Sequence, residues 1–208
     1  MPILFAWDFH GVLEQDNEYA VLESTNQALL EHGYTVQATQ QDIIELYGLP
    51  WGDYFRKLIP GIDDTSVKDL VTRCRELGRP AAGIHCKPRV HAHSTLKKIK
   101  EEGHTNIIVS NSTQSDLEFF MKIIGVNPYI HEAYGVRGNK HQAIKNHPGE
   151  YSKIIMIGDT ENDILAGYMV NATTYLVQNG DPRSTRAHHT ITDLREVLKE
   201  ITECDHKQ

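Results

Sequence analysis

The feature that most constrains the fold is a change in the period of the apolar pattern along the chain. Residues 3–7, ILFAW, form a continuous apolar run that ends at an acid, Asp8, as is typical of a strand buried on both faces. From residue 15 to about 87 only helical patterns follow. After residue 88, helical patterns alternate with short apolar runs such as 105–111 and 153–159. This alternation predicts a parallel sheet with helices on both faces.

The predicted fold class is therefore α/β, with two sequence segments building one doubly wound parallel sheet. We expect residues 1–14 and 88–208 to form this core domain. Residues 15–87 are expected to form an all-helical domain that is inserted after the first strand. A chain of 208 residues is long enough to bury a substantial apolar core in such an arrangement.

Composition excludes several classes of partner. A net charge of -7 argues against nucleic acid and against an anionic membrane surface, because both require clustered Lys and Arg. No apolar run approaches the roughly 20 residues that span a bilayer. The 3 cysteines have no paired spacing, which favours reduced thiols and a cytoplasmic protein. The oligomeric state is open.

The segment HCKPRVHAH at 85–93 concentrates one cysteine and three histidines. Zinc sites usually combine close pairs of ligands at set separations, and this segment lacks such a repeat. We therefore favour solvated or packed histidines over a metal site here.

Polar side chains end three of the predicted strands. The first strand ends in Asp8, the second in the sequence Ser-Asn-Ser at 110–112, and a later one in Gly158 and Asp159. Lys140 opens a helix before that later strand. In open parallel sheets ligands bind beyond the carboxyl ends of the strands, so these groups are expected to converge on one edge.

These residue types suit a phosphoryl substrate. Asp8 and Asp159 offer hard oxygen ligands for Mg²⁺, and Asp163 lies one helical turn beyond Asp159. Without a cation the three acids would repel one another. Asp8 is the candidate nucleophile, because a carboxylate can form an aspartyl-phosphate.

The remaining groups at this edge could bind the phosphate. The Ser110 hydroxyl and backbone N–H groups near Asn111 are donors, and Lys140 supplies a positive charge for both the phosphate and Asp8. Each residue alone has an ordinary explanation as a turn, a helix cap or a solvated side chain. Their joint occurrence, each at its expected strand end, favours a functional site.

The motifs DFHGVL, IIVSN, RGNKHQAI and IIMIGDTENDILAG resemble those of the haloacid dehalogenase-like hydrolase superfamily. The likeness is to its phosphoglycolate-phosphatase-like branch, which carries a helical cap after the first strand. The resemblance implies a Rossmann-like core, Mg²⁺, and hydrolysis of phosphomonoesters through an aspartyl-phosphate. It assigns Asp8 as nucleophile and metal ligand, Ser110 and Lys140 to the phosphate, and Asp159 and Asp163 to the metal, with Asp163 binding directly or through water.

The chain departs from the family at His10. The family pattern has a second aspartate there, which is its general acid and base, and whose backbone carbonyl binds the metal. His10 would therefore still contribute a carbonyl ligand. Because imidazole titrates near neutral pH, His10 could protonate the leaving oxygen and then accept a proton from water. We expect the metal and Lys140 to lower its pKa. The alternative is that His10 only packs or forms a hydrogen bond.

Three other functions remain open on these residues. A phosphonate-cleaving enzyme of the superfamily would use a Schiff-base lysine in the cap, where Lys57 and Lys68 are candidates. A phosphotransfer enzyme is the second alternative. A non-catalytic module that binds a phosphorylated ligand is the third.

Substrate choice is expected to depend on the segment GLPWGDYFRK at 48–57. Arg56 or Lys57 could hold a second anionic group, and Trp51 or Tyr54 could pack against a base or a sugar. The pattern does not choose among phosphoglycolate, sugar phosphates and nucleotides as the small phosphorylated metabolite.

Overall fold

A computed structural model describes residues 1–46, 49, 51–136, 138–180 and 186–205. For residues 203–205 it describes the backbone but not the side chains. The chain divides into two compact units, Met1–Gln15 with Pro88–Gln208, and Asp16–Lys87. We call the first the sheet unit and the second the helical unit. Gly48, which belongs to the segment expected to govern substrate choice, lies outside the described residues.

The secondary structure of the described residues comprises eight strands, nine α-helices and two 3₁₀ turns. The strands are β1 (Ile3–Trp7), β2 (Glu14–Gln15), β3 (Lys87–Pro88), β4 (Thr105–Ser110), β5 (Glu132–Gly135), β6 (Lys153–Gly158), β7 (Thr173–Val177) and β8 (His189–Ile191). The helices are α1 (Asn17–Glu31), α2 (Gln40–Leu46), α3 (Trp51–Leu58), α4 (Asp64–His85), α5 (Ala92–Glu101), α6 (Gln114–Ile124), α7 (Lys140–Asn146), α8 (Glu161–Tyr168) and α9 (Lys199–Asp205). The 3₁₀ turns are Asn127–Tyr129 and Leu194–Leu198.

The sheet unit is built on a six-stranded parallel sheet with the order β5-β4-β1-β6-β7-β8. The predicted α/β fold with a doubly wound parallel sheet is confirmed. Strand β1 lies in the middle, paired with β4 on one side and β6 on the other. Its alternate residues Ile3, Phe5 and Trp7 join one apolar cluster, and Leu4 and Ala6 join another. The apolar run is continuous because each pleat face is covered by helices.

The end of the chain differs from the expectation in two places. Strand β8 was missed, because its three residues, His-Thr-Ile, carry only one apolar side chain that is buried. The pattern DLREVLKEI at 193–201 predicts a single helix, but the segment forms the 3₁₀ turn Leu194–Leu198 followed by α9. Short and half-polar elements take their conformation from tertiary pairing, which a local pattern does not report.

The helical unit packs its four helices around two apolar clusters. Phe55, Leu70 and Cys74 belong to one of them, and Tyr54 and Ile43 to the other. Cys74 and Cys86 are both buried. Among the described residues, no helix has the length and apolar character needed to cross a membrane.

A buried acid on α9 bonds to two strands of the sheet, β6 and β7. Glu200 is 3% exposed, and its carboxylate accepts hydrogen bonds from the Tyr175 hydroxyl and the Lys153 ammonium. Burial raises the pKa of Glu200, but these two donors outweigh burial and bring the pKa below its ordinary value. The ionised form of Glu200 is therefore the one that stabilises the fold.

We expect Glu200→Gln to lower the free energy of unfolding by about 2 kcal/mol at pH 7, since hydrogen bonds to charged groups contribute this much. Because the folded pKa lies below the unfolded one, this contribution is present above the ordinary carboxyl pKa and disappears as the pH falls through the folded pKa. Urea denaturation of both proteins at pH 7 and near pH 4 measures it. A difference that is the same at both pH values would contradict the assignment.

Candidate active site

The sheet places two acids side by side at its carboxyl edge. Trp7 and Ile157 are paired in the ladder between β1 and β6, and the Asp8 amide continues this ladder by donating to the Ile157 carbonyl at 2.8 Å. Asp8 therefore lies beside the end of β6, which is followed directly by Asp159. Both residues are buried, with exposed fractions of 7% and 2%.

The turn after β6 brings a third acid into the same place. The Asp163 carboxylate accepts from the Thr160 amide at 3.1 Å and from the Thr160 hydroxyl at 2.7 Å, which fixes the first turn of α8. A Cβ at Gly158 would lie 2.1 Å from the Cβ of Asp163. The helix can pack this closely to the strand only because residue 158 is glycine.

Lys140 joins two of these acids. Its Nζ atom lies 2.6 Å from Asp8 Oδ1 and 2.5 Å from Asp163 Oδ1. The lysine side chain is only 6% exposed, although it stands at the start of α7. Lys140 and Asp8 are 132 residues apart in the sequence, and the fold brings them into direct contact. The expectation that Lys140 binds the Asp8 carboxylate agrees with this geometry.

The electrostatics of this group follow from its burial. Burial raises the pKa of Asp8 above its ordinary value, although the Lys140 ammonium opposes the shift. Burial alone would lower the pKa of Lys140, but the charges of Asp8 and Asp163 outweigh it and raise that pKa. The lysine is therefore held as an ammonium, whereas burial disfavours the ionised form of Asp8.

The donor set fits a hard divalent cation. Asp8, Asp159 and Asp163 each present a carboxylate oxygen, and these oxygens all lie within 4.8 Å of one another. Buried carboxylate oxygens at such spacing are the ligands that Mg²⁺ takes in proteins. Both oxygens of Asp163 already accept hydrogen bonds, from Lys140 and Thr160.

A tight turn after β1 closes over Asp159. The amides of Leu13 and Glu14 both donate to the Phe9 carbonyl, at 3.0 and 3.1 Å. Gly11 has a φ of +75°, and a Cβ there would lie 2.4 Å from Asp159 Oδ2. The Gly11 carbonyl accepts from Arg89 and Asn179, each at 2.7 Å.

Sequence reasoning missed Asn179, which bonds to Gly11 and also donates to Asp159 Oδ2 at 3.4 Å. It follows the end of β7, so the rule that strand ends line the site could have found it.

Ser110 and Asn111 lie at the end of β4, beside β1. The Ser110 side chain is 1% exposed, and its hydroxyl accepts from the Ser112 amide at 3.3 Å. This leaves the hydroxyl proton for another acceptor. The Asn111 side-chain oxygen instead accepts from the Gly138 amide at 2.9 Å and so holds the segment that leads into Lys140.

His10 has a partner that sequence reasoning did not identify. Its Nδ1 lies 2.8 Å from Oε2 of Glu14, a fully buried acid. Burial lowers the pKa of His10, but the Glu14 hydrogen bond and the charges of Glu14, Asp8 and Asp159 outweigh burial and raise it. Glu14 is therefore a contributor to the pKa of His10 that the expectation from Lys140 and a metal did not include.

The four residues expected to govern substrate choice lie on α3 in the helical unit. Tyr54 is 3% exposed inside an apolar cluster, and Trp51 is partly buried against the same cluster. Arg56 bonds to Asp64 at 2.9 Å. Lys57 pairs with Glu45 at 2.5 Å and with Asp42 at 3.5 Å.

The histidines of the segment 85–93 have separate partners. The His85 ring contacts Glu23 at 2.6 Å, and the His93 ring bonds to the Ile124 carbonyl at 2.6 Å. In the part of the chain that the structure describes, the group of side chains close enough to share a metal is the one formed by the three aspartates at 8, 159 and 163.

Comparison with known proteins places this geometry in a family. The family model described as haloacid dehalogenase-like hydrolase matches residues 5–177. The chain belongs to this family. The expected resemblance and an enzyme of the hydrolase class are thereby confirmed, and the matched span contains all four residues of the cluster around Lys140.

Individual relatives are distant in sequence. Pyrophosphatase PpaX from Bacillus pumilus (strain SAFR-032) is 21% identical over 179 residues, which cover 81% of this chain and 79% of that protein. The solved structure of a predicted phosphoglycolate phosphatase from Haemophilus somnus 129PT is 16% identical, with a TM-score of 0.80 over 95% of this chain and 96% of that one. A predicted phosphatase from Clostridium acetobutylicum is also 16% identical, with a TM-score of 0.77 over 98% and 99%. These structures show a shared fold.

We expect Gly11→Ala to weaken Mg²⁺ binding by about tenfold or more, because the new methyl group displaces the Asp159 carboxylate. Calorimetric titration with Mg²⁺ measures the change. Gly33→Ala is the matched control, since Gly33 has a φ of +79° and nothing within 4 Å of an added Cβ. Both variants carry a backbone strain of about 1 kcal/mol. Equal Mg²⁺ affinities in the two variants would contradict this account of Gly11.

Replacement of Lys140 by Met leaves Asp8 and Asp163 buried without their cation. We expect a loss of about 3–5 kcal/mol in the free energy of unfolding in EDTA, as for other buried pairs that lose one partner. Added Mg²⁺ should restore part of it, since a ligand that binds the folded state stabilises it. Lys145→Met, at an exposed position of the same helix, is the control. Equal stabilities of the two variants would show that Lys140 does not balance these charges.

Proposed function

We propose that the protein is a Mg²⁺-dependent phosphatase that hydrolyses a small phosphomonoester through an aspartyl-phosphate on Asp8. The observation that carries this proposal is the buried cluster in which Lys140 contacts Asp8 and Asp163 beside Asp159. A nucleophile, a fixed positive charge and a set of cation ligands are the groups that phosphoryl transfer requires. Family membership supports the same chemistry.

In this proposal Asp8 attacks the phosphorus with the carboxylate oxygen that Lys140 does not bind. Lys140 then neutralises charge on the transferring group as well as on Asp8. The Ser110 hydroxyl donates to a phosphate oxygen, since its proton is left over from the contact with Ser112. The backbone amides near Asn111 donate to the other oxygens, while the Asn111 side chain fixes the segment before Lys140.

Asp8 and Asp159, together with the His10 carbonyl, would hold the Mg²⁺ ion, and Asp163 would contact it through water. When bound, the ion supplies positive charge that screens the phosphate from the approaching carboxylate. The Asn179 amide keeps the Asp159 carboxylate in place for this role.

His10 is proposed as the general acid and base in place of the aspartate of the family pattern. It protonates the leaving oxygen as Asp8 is phosphorylated, and it accepts a proton from the water that later attacks the phosphate. His10 follows Asp8 by two residues, so its ring is attached to the same hydrogen-bonded turn as the nucleophile.

The helical unit Asp16–Lys87 is proposed as the cap that determines substrate choice. It corresponds to the cap domain that the sequence predicts at residues 15–87. Within α3, Trp51, Arg56 and Lys57 are at least partly exposed and are the residues most available for a substrate. Tyr54 is buried among apolar side chains, so its contribution is to support the helix.

The contacts of Lys57 speak against its use as the Schiff-base lysine of a phosphonate-cleaving enzyme. A Schiff-base lysine must reach its neutral form, but the hydrogen bond to Glu45 raises the pKa of Lys57. Borohydride trapping with a phosphono-aldehyde would detect such a lysine directly.

The proposed function is tested by turnover of an aryl phosphate with Mg²⁺. We expect Asp8→Asn to lose at least about 10³-fold in kcat, because the amide cannot form the acyl-phosphate. EDTA should abolish the wild-type rate. Asp69→Asn, an exposed residue of α4, should keep it. Equal and negligible rates in wild type and Asp8→Asn would refute a phosphatase and favour a module that only binds a phosphorylated ligand.

The same assay over a metabolite panel identifies the substrate. The panel includes phosphoglycolate, sugar phosphates and nucleotides. It also includes inorganic pyrophosphate, because the relative PpaX is named a pyrophosphatase.

A further inference from the structure

Glu14 is a buried acid that lies next to the proposed active site but has no part in the chemistry described so far. Its side chain is fully buried, and its backbone is held on both sides. The Glu14 amide donates to the Phe9 carbonyl at 3.1 Å, and the Glu14 carbonyl accepts from the Gly11 amide at 3.0 Å. The turn that carries Asp8 and His10 therefore also fixes the position of the Glu14 carboxyl group.

The carboxyl group of Glu14 is directed to one partner. Its Oε2 lies 2.8 Å from His10 Nδ1, while Oε1 has no hydrogen-bond partner among the described residues. A buried carboxyl group costs free energy unless its partner compensates for the loss of water. An apolar side chain at position 14 would fill the same volume without this cost, so the carboxyl group needs a reason beyond packing.

Two aromatic rings fix the plane of the His10 imidazole. Phe9 and Phe120 both meet it edge to face, with centroids at 5.1 and 4.8 Å. Together with the bond from Nδ1 to Glu14, these contacts leave the ring a single orientation. Such rigid support is what an acid–base group requires, whereas a histidine that only fills space does not need it.

We propose that Glu14 is the positioning residue of His10 in the hydrolysis. Its carboxylate accepts the proton of Nδ1, so that Nε2 is the nitrogen that exchanges protons with the reacting oxygens. The inference rests on the proposed phosphatase function. A carboxylate that orients a histidine in this way sets which nitrogen carries the proton and holds the ring in line.

The protons balance over the two steps. In the first, the bond from phosphorus to the leaving oxygen breaks, the bond to Asp8 forms, and Nε2–H gives its proton to the leaving oxygen. In the second, Nε2 takes a proton from water as the water oxygen bonds to phosphorus and the Asp8 carboxylate is released. The Nδ1 proton remains in the bond to Glu14 throughout.

A double-mutant cycle distinguishes positioning from a structural role. We expect Glu14→Gln to lower kcat by about 10²-fold, because the amide no longer stabilises the protonated ring, and a neutral ring with its proton on Nε2 is a poor acid toward the leaving oxygen. In a His10→Gln background the same change should alter kcat by less than about twofold. If Glu14 only stabilised the turn, the loss would be similar in both backgrounds, and that result would overturn the inference.

Glu23→Gln is the matched control, since it breaks another Glu–His contact, with His85, in the helical unit. It should leave kcat unchanged. A second control uses aryl phosphates with leaving groups of different basicity. The loss in Glu14→Gln should be largest for the poorest leaving group, which needs a proton most, and a uniform loss would contradict the role.

A spectroscopic measurement on the wild type does not depend on turnover or on the folding of a variant. With ¹⁵N-labelled histidine, and His10 assigned by its absence in His10→Gln, the neutral ring should carry its proton on Nδ1. A proton on Nε2 instead would overturn the inference. Absence of any phosphatase activity in the wild type would refute the proposed function, whereas an active enzyme without coupling between positions 10 and 14 would refute only the role of Glu14.

Discussion

The contact of one buried ammonium group with two buried carboxylates is the constraint on which the site depends. Lys140 lies 2.6 Å from Asp8 and 2.5 Å from Asp163 in an interior where an unpaired charge of either sign would be costly. Three elements, β1, α7 and α8, must therefore meet at one point. The same arrangement sets three carboxylates against one lysine, and the proposed cation site rests on this charge balance.

The parallel sheet supplies the rigidity that this contact needs. β1 is central and fully buried, so Asp8 is attached to a strand that is paired on both sides. Two glycines then permit close approach: Gly158 to Asp163, and Gly11 to Asp159. In both places a single methyl group would enter the position of an aspartate of the acidic cluster, so the close packing of the backbone is a condition for the geometry of the site.

His10, where the sequence is expected to depart from the family pattern, is accompanied by a buried carboxylate at position 14. An imidazole in this turn has Glu14 on one nitrogen and aromatic edges on its faces. In the proposed mechanism, a histidine in place of an aspartate changes the charge of the acid–base group, and Glu14 is a second residue on which its orientation depends.

The sequence alone determined the fold class, since the apolar run at 3–7 and the later alternation of strand and helix patterns have few solutions other than a parallel sheet. It also determined the convergence of Asp8, Asp159, Asp163 and Lys140, because parallel strands end at a common edge. Short elements such as β8 were beyond its reach, because their conformation depends on a neighbouring strand. So were the side-chain partners: Glu14 for His10, Asn179 for Asp159, and Asn111 for the segment before Lys140. Such contacts require atoms to be positioned to within a few tenths of an ångström. The residues that make them are not related by any local pattern, so only the tertiary structure decides them.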